Sequence, residues 1–258
     1  MSDDRTKAEL LSALHAAENA LRMRDEFFRL VGHELRSPLT AVQLQVDALA
    51  MLARQGGSAD AIDARAHRVR RSARRLAWIV DEMVDLGRAV GGRLAIHPEA
   101  ADLAVLAGRV IDRLADELAR VGCIARVLAA RPVMGRWDVA RVEHAIGSLL
   151  LAAMNGGAGH PIEIEVSGGD ESEAIARVAV CDRGPGLPEA ESDLVFVAFD
   201  RLLEALSPGS PALGLWLARA VAETHGGRLV LAPGRAELVL PKTGGGGAGL
   251  IAGGSGPP

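Results

Sequence analysis

The chain has 258 residues, 49% of them apolar, and a formal net charge of −4. That is enough apolar side chain for one or two domains with a real core, and the mild negative balance offers no global field to recruit nucleic acid or an acidic membrane surface. The opening MSDDRTKAELL is acidic and polar rather than a signal peptide, no apolar run approaches the roughly 18 residues of a membrane span, and Cys123 and Cys181 lack metal-ligand spacing; the expectation is a cytoplasmic protein with two buried, reduced thiols.

From the start of the chain, apolar residues recur in heptads: Leu14, Leu21, Phe28, Leu35, Val42 and Leu49. Leu39 and Val46 add a second row, so a long helix presents a seam to other helices. RQGGSAD (54–60) breaks the pattern. The stepping resumes through Ile62, Ala66, Val69, Ala73, Leu76, Val80, Met83, Gly87 and Val90 and stops at Gly91–Gly92. Two seamed helices joined by a short loop predict an antiparallel hairpin. One hairpin cannot cover both of its apolar faces, so the expectation is a homodimer built as a four-helix bundle.

Beyond residue 92 the periodicity changes. RLAIHPEA (93–100) reads as a short strand, 102–121 as one amphipathic helix, 123–137 as a strand pair and 138–154 as another helix. PIEIEVSG (161–168) and AIARVAVCD (174–182) alternate as strands do. A loop-rich stretch runs to about 211, LGLWLARAVAETH (213–225) is helical, and GRLVLAPGRAELVLP closes as a hairpin. Strands on one side and helices on the other predict an α+β sandwich. From Gly244 the glycine-rich end reads as a flexible tail.

The chemistry begins at FFRLVGHELRSPLT (27–40). With Leu35 and Leu39 turned to the seam, His33, Glu34 and Ser37 fall on outward positions. Imidazole is a competent nucleophile near neutral pH, and Glu34 is placed to hold the proton on its other nitrogen. Pro38 lacks an amide proton and its ring meets the Glu34 carbonyl, which predicts a bend at the histidine. An exposed histidine in a charged helix with an incidental proline explains this stretch alone equally well. A zinc helix does not, because Ser37 stands where the second histidine belongs.

GHELRSPLT resembles the H-box of sensor histidine kinases, and the helix ending RRLAWIVDEMVDLGR resembles the rest of their dimerisation and phosphotransfer domain. The resemblance implies that His33 accepts a phosphoryl group from ATP with help from Glu34. It implies transfer onward to an aspartate of a response-regulator receiver domain, and a role for Ser37 in positioning water for the reverse, phosphatase reaction. VAVCDRGPGLPE, by itself a good surface turn, then resembles the G1 box of the Bergerat ATP-binding fold, with Asp182, Gly184 and Gly186 toward the base. VFVAFDR (195–201) resembles the F box, and ALGLWLARAVAETHGG the second glycine box, where Gly214 remains. ATP and Mg²⁺ are the implied cofactors.

Three positions depart from the family pattern. Ala152 falls where a helix asparagine holds Mg²⁺, with Ser148 replacing a second asparagine one turn earlier and Asn155 three residues on. SPALGL puts Ser210 and Ala212 where glycines belong, and a methyl at Ala212 restricts approach to phosphate. The lid, LLEALSPGS, is short and lacks a basic residue. No metal ligand is assigned.

The expected organisation is a helical lead-in (1–21), a dimerisation and phosphotransfer domain (22–92), an ATP-binding-like domain (93–242) and a tail (243–258). The expected function is a histidine kinase of a two-component system. The alternative is a degenerate kinase serving as a phosphotransfer, phosphatase or scaffold module without ATP. RAHRVRRSARR (65–75) is expected to be a solvated face, with docking of an acidic receiver as the functional alternative. Only about twenty residues of helix precede the hairpin, so input is expected from a separate sensor protein.

Overall fold

The computed structural model describes residues 2–156, 159–168, 170, 173–182, 189–205 and 210–243. It divides into two compact units, Met1–Met83 and Val84–Pro258.

The first unit is the predicted hairpin. Helix α1 (Ser2–Arg54) runs without a break through Pro38, and α2 (Ala59–Val90) returns beside it, its turns as far as Met83 belonging to this unit. RQGGS makes the turn for identifiable reasons. Gly56 takes a φ of 71° and the Gly57 amide reaches back to the Leu52 carbonyl at 3.0 Å, closing the last turn of α1. Ser58 Oγ then accepts the Ala61 amide at 3.3 Å and caps α2. Arg65 Nη1 donates to Gln45 Oε1 across the hairpin. The seam is only half covered: Leu14, Leu21, Phe28, Leu39 and Val46 on α1 and Val80 on α2 remain exposed.

In the second unit the last turns of α2, which bury Leu86 and Ala89, lead into a sandwich. Strands β2 (Ala125–Ala129), β4 (Ile162–Ser167), β5 (Ile175–Cys181), β7 (Arg235–Pro241) and β6 (Arg228–Ala232) form one sheet in that order. Pairing is antiparallel except between β2 and β4. A separate ribbon joins β1 (Glu99–Asp102) to β3 (Met134–Trp137). Helices α3 (Leu103–Arg113), α5 (Val139–Gly156) and α8 (Ala212–Thr224) cover one face, against Ile162, Ile164, Val178, Val180, Leu229 and Leu238. The alternate residues form a charged ladder: Arg126 pairs with Glu163, Arg235 bridges Glu165 (2.7 Å) and Glu237 (3.1 Å), and Arg177 reaches Glu237 (3.4 Å).

Several sequence expectations need correction. The strand at 93–100 begins only at Glu99, because Pro98 has no amide for a ladder. The helix at 102–121 is two, α3 and α4 (Ala115–Val121), separated by Leu114 at φ −98°, ψ 11°. The strand pair at 123–137 is two strands in different sheets, since β2 joins β4 and β3 joins β1. The loop-rich stretch contains α6 (Glu189–Leu194) and α7 (Phe199–Ala205). Cys123 is buried, but Cys181, at the end of β5 on the charged face, is half-buried, and neither is in a disulfide. Residues 244–258, the expected tail, lie outside the described residues, as does part of the expected lid, 206–209.

Candidate functional site

In the hairpin unit, α1 carries His33 with 61% of its side chain exposed. Its Nδ1 lies 3.7 Å from Glu34 Oε1. That is beyond a hydrogen bond, but it sets the carboxylate beside this nitrogen. Ser37, one turn on, is exposed, as expected. Glu34 is not fully outward: it is 26% exposed, because α2 packs beside it. Burial, and then the charge of Glu34, push Glu82 on α2 up to about 7, with Arg75 opposing. The charges of Glu34 and Glu82 therefore oppose each other, which favours the protonated form of Glu82. Glu82 was missed by sequence reasoning; an acid between Val80 and Met83 on the seam side of α2 was the available signal.

Of the basic run, Arg68, Arg70, Arg74 and Arg75 are exposed while Arg65 and Arg71 are half-buried.

In the sandwich unit, α5 and the sheet frame a pocket. Leu149, Ala152 and Ala153 come from α5, Val180 and Asp182 from the end of β5, Ser192 from α6 and Leu215 from α8. Leu231, Ala232, Gly234, Arg235 and Ala236 of the β6–β7 hairpin complete it. The Asp182 amide donates to the Gly234 carbonyl at 3.0 Å, and Gly234, at φ 65°, makes the tight turn that brings the hairpin over. Gly184 and Gly186 lie outside the described residues. Gly214 sits in the first turn of α8.

Residues of the 195–201 stretch pack on α8. Phe199 packs on Trp216 with ring centroids 5.0 Å apart, and the Arg219 guanidinium lies 5.5 Å from the Phe196 ring centre. Arg219 is held in turn by Glu223 at 2.7 Å.

The pocket combines apolar walls with the Asp182 carboxylate, the Ser192 hydroxyl and Arg235, and the carboxylate suits the exocyclic amine of a purine. A protein-held Mg²⁺ fits less well. Ala152 faces the pocket with a methyl group, Ser148 Oγ is turned back onto the His144 carbonyl at 3.2 Å, and Asn155 is exposed and does not line the pocket. Among the described residues no cluster of three His, Cys, Asp or Glu forms a metal site.

Residues 23–92 match the family described as the His Kinase A (phospho-acceptor) domain, and residues 137–250 match the histidine kinase-, DNA gyrase B- and HSP90-like ATPase family. The chain belongs to the sensor histidine kinase family. The signal transduction histidine-protein kinase/phosphatase MprB of Mycobacterium tuberculosis is 30% identical over 235 residues, covering 86% of this chain and 44% of MprB. The adaptive-response sensory kinase SasA of Rippkaea orientalis is 23% identical, covering 88% of this chain and 64% of its own length. The chain thus spans about half of the first of these relatives. The fold matches Acinetobacter baumannii histidine kinase AdeS (TM-score 0.51, 18% identity, 82% of this chain and 98% of that one). It also matches full-length ShkA in complex with AMPPNP (TM-score 0.54, 16% identity, 87% and 47%). Among the described residues no helix is long and apolar enough to cross a membrane.

Proposed function

We propose that this chain is the catalytic core of a two-component histidine kinase, in which His33 takes the γ-phosphoryl group of ATP and passes it to a receiver-domain aspartate. The observation that carries this reading is the exposed His33 imidazole with Nδ1 turned to Glu34 at 3.7 Å. Nε2 attacks phosphorus, an N–P bond forms, the bond to the bridging oxygen breaks and ADP leaves. Glu34 stabilises the positive charge that develops on the ring and holds the Nδ1 proton. Asp182 receives the adenine amine at the base of the pocket, Gly184 and Gly186 let the backbone approach the base, and Gly214 opens the first turn of α8 to phosphate. Ser37 positions water for dephosphorylation, an activity that the MprB name gives to that relative. No step is assigned to Mg²⁺, because the wall at Ala152 supplies no oxygen.

The uncovered seam supports a homodimer: two copies laid along Leu21, Phe28, Leu39 and Val46 would bury what one leaves exposed. We place the reaction in the cytoplasm, where ATP and receiver domains are available.

A second reading, a phosphotransfer or phosphatase module that does not use ATP, draws its support from Ala152. Incubation with γ-labelled ATP and Mg²⁺ separates the two. Label retained by the wild type and absent from His33→Gln is the expected result, and no label on the wild type, with label received from a phosphorylated receiver domain, favours the second.

A further inference from the structure

The N-terminus of α8 is already engaged. Ser210 Oγ accepts the Ala212 amide at 3.2 Å and donates its own proton to Glu191 Oε2 at 2.9 Å. Ser210 and Glu191 are both half-buried. The first turn of α8 has no acidic residue of its own, so the carboxylate that complements its positive end comes from α6, nineteen residues back in the chain. The position matters. Ser192, beside Glu191, and Leu215, one turn into α8, both line the Asp182 pocket. The contact therefore adjoins the α6–α8 side of the pocket, the side to which the Gly214 reading assigns the phosphates of a nucleotide.

We propose that Ser210 and Glu191 form an autoinhibitory clasp beside the pocket, a carboxylate held by a hydroxyl across the start of α8, which the polyphosphate of an incoming nucleotide has to displace. The inference rests on the reading that the Asp182 pocket takes adenine. Phosphate and carboxylate compete for the same helix end, which prefers one anion, and like charges at such range repel. A glycine at 210 would have no hydroxyl with which to hold the acid. The clasp therefore penalises ATP while leaving adenosine, which has no phosphate, unaffected, and so sets how much nucleotide is needed to load the domain.

The test is calorimetric titration of the full chain with ATP and, separately, adenosine, for the wild type, Glu191→Gln and Ser210→Ala. Glu191→Gln removes the charge and keeps the shape; Ser210→Ala removes the tether. The expected result is a gain in ATP affinity of about five- to tenfold in Glu191→Gln, a smaller gain in Ser210→Ala, and adenosine affinity the same in all three. Adenosine binding with unchanged ATP affinity in both variants overturns the clasp and leaves the pocket reading standing. Equal gains for both ligands overturn it too, since the contact would then guard the whole pocket rather than its phosphate end. Failure of every protein to bind either ligand overturns the clasp and the adenine reading together.

Discussion

His225 Nε2 accepts the backbone N–H of Asp138 at 3.0 Å, while its Nδ1 faces the Val221 carbonyl at 2.8 Å. The ring is fully buried and joins the end of α8 to the start of α5, where Asp138 Oδ1 accepts the Arg141 amide at 3.2 Å. The arrangement requires a neutral ring with the proton on Nδ1, and burial does push its pKa down. His225→Ala leaves the Asp138 amide without its acceptor in the interior and opens a cavity. The expected loss is about 3 kcal/mol, read from urea unfolding of the sandwich.

The same burial sets a pH dependence. His144, on α5, is lowered to about 4, first by desolvation and then by the balance of Asp85 and Arg113. A histidine with a folded pKa below its unfolded value near 6.5 gives stability that is complete above that value and lost as pH falls through it. Unfolding midpoints of the sandwich are expected to fall between pH 6.5 and 4, and the slope to become shallower in a His144→Gln variant.

Glu82 has the opposite sign. Its carboxyl is raised from an ordinary 4.5 to about 7, so its contribution is complete below pH 4.5 and lost as pH rises through 7. The hairpin is expected to lose helical stability between pH 4.5 and about 7, measured by circular dichroism melts, and Glu82→Gln is expected to remove most of that loss.

The uncovered seam predicts assembly. Leu21→Glu with Phe28→Glu puts charges at two positions that are 52% and 62% exposed in a single chain. Each buried side chain of this size is worth about 1.5–3 kcal/mol, and a dimer repeats the loss in both copies. Sedimentation at micromolar concentration is expected to give a dimer for the wild type and a monomer for the double variant.

Ala152→Asn tests whether the pocket wall limits nucleotide chemistry. An amide oxygen at this position, which faces the pocket, is expected to raise the rate of His33 labelling by about 10²-fold, the lower end of what one preorganised contact contributes. An unchanged rate would place the limit elsewhere.

Long-range order explains which features could be read from the sequence. The hairpin was legible because its seam repeats over many turns, β4 because Ile and Val alternate with glutamates, and β5 because Ala176, Val178 and Val180 recur at every second position. The break at Leu114 was hidden: Leu106, Val110, Leu114 and Leu118 keep a helical spacing and are all buried, so the apolar pattern runs across the interruption. Parallel pairing of β2 with β4 spans the whole of α5, and no local signal announces a partner that distant. His33 and Asp182 could be singled out as candidates because each lies in a dense local motif. Glu82 and the Ser210–Glu191 contact were not, because each depends on a second element arriving beside it.

The central claim is that the His33 ring is the phosphoryl acceptor, and peptide mapping of the phosphorylated chain under alkaline conditions, which preserve an N–P bond, tests it most directly. The account predicts a single phosphorylated peptide spanning Gly32–Arg36, with the phosphoryl group on His33 and none in Glu34-intact His33→Gln protein. A phosphoryl group on Ser37 or on any other residue, with His33 unmodified, would contradict it.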